Sequence, residues 1–224
     1  MTKVKICGIT TLADARYASG AGADYLGFIQ HEGSQRFVAP DMARDIINWV
    51  YGAQSVGVFV DKDAEKVNEI CDLTGFEFVQ LHGSESPSYC QWIDRPIIKA
   101  LRIEPGTTAQ SLQEEMEAFA EVAEFFLLDT ALATIPAASG PPFGGVGSFG
   151  GLGISFDWSI LRSLKSPLPF FLAGGLHAEN VLEAIRIASP YCVDVSSGVE
   201  ESPGIKDFLK LDAFMTQLGS GVEK

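Results

Sequence analysis

Short runs of β-branched and aromatic residues alternate along this chain with stretches whose apolar positions recur at helical spacing. The strand-like runs are 4–9, 25–29, 55–60, 76–81, 96–102, 124–129, 169–173 and 191–195. Between them, helical spacing covers 12–22, 41–51, 64–73, 87–92, 109–122, 158–164, 178–188 and 205–218. Strand followed by helix, eight times over, predicts parallel strands joined by right-handed crossovers. So many units predict closure into a (β/α)8 TIM barrel of eight parallel strands. The rival is an open doubly wound sheet, which has fewer units and a glycine-rich loop after its first strand. Here that position reads Cys7-Gly8-Ile9-Thr10, with no GxGxxG. Punctuation agrees with the barrel. Pro40-Asp41 marks a helix start, and Gly20, Gly22 and Gly75 mark helix ends.

One segment departs from the alternation. No charged residue occurs from Thr130 to Phe156, and the stretch 131–155 is rich in glycine. A loop this long in a compact domain is uncommon. It reads either as a tolerated insertion or as a lid on the face where barrels carry their sites. The whole chain, 1–224, reads as one barrel domain with this loop inserted.

Composition narrows the function. The chain is 46% hydrophobic and 20% charged, which suits one well-filled core and excludes disorder. A formal net charge of −13 with no basic stripe excludes a nucleic-acid surface and an anionic membrane surface. No apolar run is long enough to span a bilayer, and the first ten residues lack the core of a signal peptide. Cys7, Cys71, Cys90 and Cys192 form no CxxC pair, and His31, His82 and His177 are scattered, so the pattern implies neither a zinc site nor disulfides. Unpaired thiols point to the cytoplasm. An anionic substrate would have to be held by a few local groups against the global field.

Barrel sites gather at the C-terminal ends of strands. The polar residues that fall there are Cys7, Gln80, His82, Asp129, Ser196 and Ser197. Gly174-Gly175 after the seventh strand and Ser196-Ser197-Gly198 after the eighth match a phosphate site, because backbone N–H groups approach phosphate where side chains are absent. Cys7 reads either as a small buried hydrophobe or as a reactive thiol. Asp129 ends the apolar run Phe125–Leu128. It is either a turn cap or a desolvated carboxyl suited to giving up a proton near neutrality. Arg36 is either solvated or a bidentate clamp for an anion. Strand alternation places Lys5 on the face of Cys7, and Asp194 on that of Ser196. Strands one and eight are neighbours in a closed barrel, so Lys5 and Asp194 are expected to pair inside it, with Lys99 nearby.

The motifs resemble the phosphoribosylanthranilate isomerase family of tryptophan biosynthesis. They are Lys5-Ile6-Cys7-Gly8-Ile9-Thr10, Gly27-Phe28, Ser34-x-Arg36, Gly57-Val58-Phe59-Val60, Val79-Gln80-Leu81-His82-Gly83, Leu128-Asp129-Thr130, Phe156-Asp157-Trp158, Gly174-Gly175-Leu176 and Val193 to Glu200. Together they run through nearly the whole chain in the family's order. The resemblance implies a (β/α)8 barrel that needs no metal or organic cofactor. Its substrate is a small molecule, a phosphorylated riboside of anthranilate, and no obligate protein partner is implied. It further implies an Amadori rearrangement in which Cys7 is the general base and Asp129 the general acid. Arg36 would hold the anthranilate carboxylate, with Gln80 and His82 beside the substrate. Gly153, Gly174, Gly175, Ser196, Ser197 and Gly198 would hold the phosphate. The chain departs from the family in its long 131–155 connection. It also carries Leu152 where a hydroxyl is usual, and Gln30 and His31 where aromatic residues are common.

Two other functions fit parts of this pattern. A pentose-phosphate epimerase would bring metal-binding His and Asp residues at its strand ends. A non-catalytic phosphate-binding barrel would keep the glycine and serine pairs without needing Cys7 and Asp129 together.

Overall fold

A computed structural model describes residues 1–104, 106–130 and 158–220. Eight parallel strands close into a barrel in sequence order. They are β1 (Lys3–Cys7), β2 (Tyr25–Ile29), β3 (Gln54–Phe59), β4 (Phe78–Leu81), β5 (Ile97–Ile103), β6 (Phe125–Thr130), β7 (Phe170–Ala173) and β8 (Cys192–Val195). The expected fold class is therefore the observed one. The 131–155 loop, with Gly153 and Leu152, lies outside the described residues.

Burial on both faces explains why the strands read as apolar runs rather than as alternating patterns. One set of positions fills the barrel: Tyr25, Val56, Phe78, Ile98, Phe125, Leu127 and Phe171. Their rings pack at offset angles, with Tyr25 5.2 Å and Phe125 5.4 Å from Phe171, so the floor of the barrel is an aromatic plug. The other set, including Ile6, Leu26, Phe28, Val79, Leu101 and Leu128, faces outward against the helices. On the inner face the residues above the plug turn polar, with Lys5, Gln80 and Asp194 all buried. The plug thus closes the N-terminal end and leaves the chemistry to the C-terminal end.

The helices are α1 (Leu12–Gly20), α2 (Pro40–Ile47), α3 (Ala64–Thr74), α4 (Pro87–Cys90), α5 (Ala109–Phe119), α6 (Val181–Ala188) and α7 (Phe208–Ser220). Local chemistry sets several ends. The Thr11 side chain accepts from Asp14 N at the start of α1, and Thr108 with Ser111 forms a capping box on α5. Gly75 ends α3 in the left-handed conformation. Three elements differ from expectation. Residues 158–163 form a 3-10 helix rather than an α-helix. Phe76 precedes β4 and packs, buried, against β3. Residues 205 and 206, expected to begin the last helix, instead form β10 (Ile205–Lys206), paired antiparallel with β9 (Glu200–Ser202). Pro203 and Gly204, the latter at φ +85°, make the turn between them. Among the described residues no helix is long and apolar enough to cross a membrane.

Candidate active site

The site begins with the last residue of β1. Cys7 points to the inner face and is 8% exposed. Its strand neighbour across the β1–β2 ladder is Gly27, where a Cβ would stand 2.8 Å from Cys7 Sγ and 3.1 Å from Lys5 Nζ. The missing side chain is what admits the thiol and the ammonium side by side. Lys5 pairs with Asp194 in register and donates to its carboxylate at 3.0 Å, as expected from the alternation. Lys99 does not join them. Ile98 and Ala100 face inward, so Lys99 faces outward, where it meets Glu85 at 2.7 Å and the Gly83 carbonyl at 2.8 Å. Glu85 also accepts from Asp61 N and Gly83 N, which fixes the loop carrying His82. Burial pushes the Cys7 thiol above its ordinary pKa; Lys5 and Lys206 oppose this and Asp194 adds to it. At Lys5, burial works against the charged form, but Asp194 outweighs it and holds the ammonium above its usual range.

Arg36 comes from the loop after β2, which folds back on its own strand. Val38 N donates to Ile29 O, and Gln30 Nε2 donates to Val38 O. Gln30 is buried in that closure, so it stiffens the loop rather than lining the mouth as an aromatic residue would. The guanidinium reaches Glu200 through Nε (2.9 Å and 3.1 Å) and Nη2 (2.6 Å). One edge of the fork is thus committed to Glu200, and among the described residues the Nη1 edge is left for another acceptor. Glu200 is itself buried and takes a further ammonium, Lys206 Nζ, at 2.8 Å. Burial raises its carboxyl, but hydrogen bonds and charge from Arg36 and Lys206 outweigh this and hold it below the ordinary carboxylate range. Gly8, at φ +76°, lies beneath the cluster, where a Cβ would stand 2.8 Å from Arg36 Cδ.

Asp129 lies one residue before the end of β6, which is three strands from β1 by way of β8 and β7, so it faces Cys7 across the barrel mouth. Its side chain is 31% exposed, so the apolar strand desolvates it in part, as expected. His82 Nε2 stands 3.2 Å from Asp129 Oδ2, and Gln80 Nε2 donates to His82 Nδ1 at 2.8 Å. With Nδ1 accepting, the ring proton sits on Nε2 and points at the carboxylate. Gln80 is fully buried, so it reaches the mouth only through His82. Arg102 takes the register position opposite Asp129 at the exposed end of β5. It was not singled out from sequence, although inward parity at a strand end marks it.

The two loops expected to hold phosphate meet. Gly174 and Gly175 lie at φ +92° and +63°, and Asn180 closes their turn by donating to Gly175 O at 2.9 Å and accepting from His177 N. A Cβ on Gly198 would stand 1.9 Å from Leu176 O, so only glycine lets the loop after β8 pack against the loop after β7. Ser197–Val199 form one 3-10 turn, whose first N–H groups have no partner inside the turn. The structure thus brings Cys7, Arg36, Ser196 and Glu200 together on one side, and Gln80, His82 and Asp129 on the other. Gly153 lies outside the described residues. Glu200 closed the last motif without being given a role, and Lys206 lay in a stretch read as helix.

Known proteins are similar to this chain over nearly its whole length. The profile of the N-(5'phosphoribosyl)anthranilate (PRA) isomerase family matches residues 4–217. The N-(5'-phosphoribosyl)anthranilate isomerase of Nitrosospira multiformis is 42% identical over 219 residues, covering 97% of this chain and 96% of the relative. The crystal structure of phosphoribosyl anthranilate isomerase from Thermotoga maritima superposes with a TM-score of 0.81 at 34% identity, covering 98% of this chain and 100% of that one. A crystal structure of a phosphoribosyl anthranilate isomerase in complex with reduced 1-(o-carboxyphenylamino)-1-deoxyribulose 5-phosphate matches at 32% identity and TM-score 0.78, covering 98% of this chain and 100% of that one.

Proposed function

The chain belongs to the N-(5'-phosphoribosyl)anthranilate isomerase family, and from that premise we propose how its residues divide the reaction. It isomerises N-(5'-phosphoribosyl)anthranilate in tryptophan biosynthesis. The observation that carries the division of roles is the placement of Cys7 and Asp129 on opposite sides of one barrel mouth.

Asp129 protonates the furanose ring oxygen as the anilino nitrogen pushes its lone pair toward C1′. The ring opens to an iminium. As the carboxyl gives up its proton it becomes an anion, and His82 Nε2–H then makes a charge-assisted bond to it. That interaction is stronger after transfer than before, so it lowers the barrier rather than merely binding substrate. Cys7 next removes the C2′ proton. The electrons flow to the iminium nitrogen, giving an enolamine, which tautomerises to the ketone by taking a proton at C1′. The iminium is the electron sink, and its positive charge beside the thiolate favours the ionised base.

Arg36 offers its Nη1 edge to the anthranilate carboxylate, with Glu200 holding the other edge. The backbone of Gly174, Gly175, Ser197 and Gly198, with the Ser196 hydroxyl, receives the phosphate. The four cysteines are free, which suits a reducing cytoplasm. The test is the fluorescence of the anthranilate substrate on adding purified protein, with and without a chelator. Decay at the same rate in both supports this reading. Decay abolished by the chelator overturns the metal-free division of roles, and a stable signal overturns the activity.

A further inference from the structure

Lys206 is a completely buried lysine in the hairpin after β8, and the chemistry above makes no use of it. An ammonium has three N–H bonds, and this one meets three acceptors: the Cys7 carbonyl, Glu200 Oε1 at 2.8 Å and the Ser196 carbonyl at 3.5 Å. Glu200 is as crowded. Besides Arg36 and Lys206 it accepts from Gly204 N at 3.3 Å and Ser196 Oγ at 3.4 Å. The pair therefore joins the residue that bears the thiol, the first residue of the phosphate loop and the carboxylate clamp. Charge gives a second reason for the arrangement. A substrate-binding arginine tied to a buried carboxylate would be neutral as a unit. Lys206 adds a second cation, so the Arg36–Glu200–Lys206 triad carries one net positive charge where a substrate with two anionic groups must settle, while the nearby Asp14 carboxylate accepts from the Lys206 backbone N at 3.3 Å.

We propose that Lys206 is a positioning residue, which through Glu200 locks Arg36 to the Cys7 strand end and keeps that corner of the mouth cationic. The proposal rests on the roles given above to Cys7 and Arg36. Among the described residues, the charged groups facing Cys7 are Lys5 from its own strand, Asp194 from β8, Arg36 from the loop after β2, and Glu200 and Lys206 from the hairpin. Lys206 is among those that favour the thiolate.

The test uses Lys206→Gln, which keeps donors toward Cys7 and Glu200 but removes the charge, and Lys206→Arg, which restores it. Two readouts are followed against pH: kcat/KM, and the rate at which iodoacetamide alkylates Cys7, read by peptide mass spectrometry. In Lys206→Gln both rising limbs should move upward by about one pH unit, with kcat and Cys7 alkylation at pH 8 down about tenfold. Lys206→Arg should recover most of both. Glu200→Gln should do the reverse to the limb, moving it to lower pH, while raising KM because Arg36 loses its anchor. This variant carries the test should Lys206→Gln not fold. Limbs that stay on the wild-type curve in a folded variant overturn the proposal. Alkylation reports on the Lys206–Cys7 link whether or not Cys7 is the base, and Cys7→Ser turnover tests that assignment separately.

Discussion

The imidazole of His82 stands 3.2 Å from the carboxylate of Asp129, with its far nitrogen held by Gln80 at 2.8 Å. The carboxyl proposed to release a proton thereby faces a fixed N–H donor, and the donor's own orientation is set from the buried side. His82→Asn should accordingly lower kcat about tenfold while KM stays near wild type, since the bond strengthens only as Asp129 becomes anionic. Gln80→Leu should lower kcat in the same direction by freeing the ring. A KM effect with kcat intact in His82→Asn would return His82 to a plain substrate contact.

Asp129→Asn keeps the shape of the carboxyl and cannot supply the proton. We expect kcat to fall by about 10²-fold or more, the usual scale for losing an acid-base group. Affinity for a product analogue should hardly change. If the analogue binds much more weakly and turnover survives, Asp129 is a binding residue.

Cys7→Ser should fold normally and lose about 10²-fold or more in kcat. The wild-type enzyme carries a further signature. On the proposed role Cys7 acts as a thiolate, and burial raises the free enzyme's thiol above the ordinary value of about 8.5 despite Lys5 and Lys206. Hence kcat/KM should climb from pH 6 through pH 8, with its midpoint on the alkaline side of that value. A plateau already reached at pH 7 argues against Cys7 as the base.

Arg36→Lys should raise KM roughly tenfold and change kcat less. An ammonium cannot hold Glu200 along one edge and a second carboxylate along another, as the planar fork can. A substrate lacking the anthranilate carboxylate should feel the change little. Equal sensitivity of the two substrates would remove Arg36 from the clamp.

The barrel was legible because each strand lies buried on both faces and so prints an apolar run bounded by turn residues. The strand-end positions of Cys7, Asp129 and the glycine pairs were legible because a parallel barrel puts the ends of its strands at one mouth. What the chain did not reveal depends on distance in sequence. Arg36 and Glu200 are 164 residues apart, and nothing local in either marks the other. Lys206 lay hidden because Pro203-Gly204 was passed over as a turn and the residues after it were read as helix. Lys99 was misassigned for a different reason. Its parity, between inward-facing Ile98 and Ala100, already places it outside the barrel.

The Lys5–Asp194 pair lets stability and catalysis be separated. Both side chains are buried inside the barrel, at 3.0 Å. Removing one partner strands a charge in an apolar interior, so Lys5→Met should cost about 3–5 kcal/mol, whereas replacing both partners by apolar residues is often neutral. Lys5→Met/Asp194→Leu should then regain most of the lost stability in a denaturant titration. Catalysis should not follow. Lys5 also lies beside the Cys7 thiol, where its attraction for the thiolate exceeds the opposing push of Asp194. Without the pair, less thiolate exists at any given pH, and the rising limb of kcat/KM should move upward. A double variant as stable as wild type but displaced along the pH axis assigns the pair to the base. Recovery of stability together with an unshifted profile would leave Lys5 and Asp194 a packing device with no part in the chemistry.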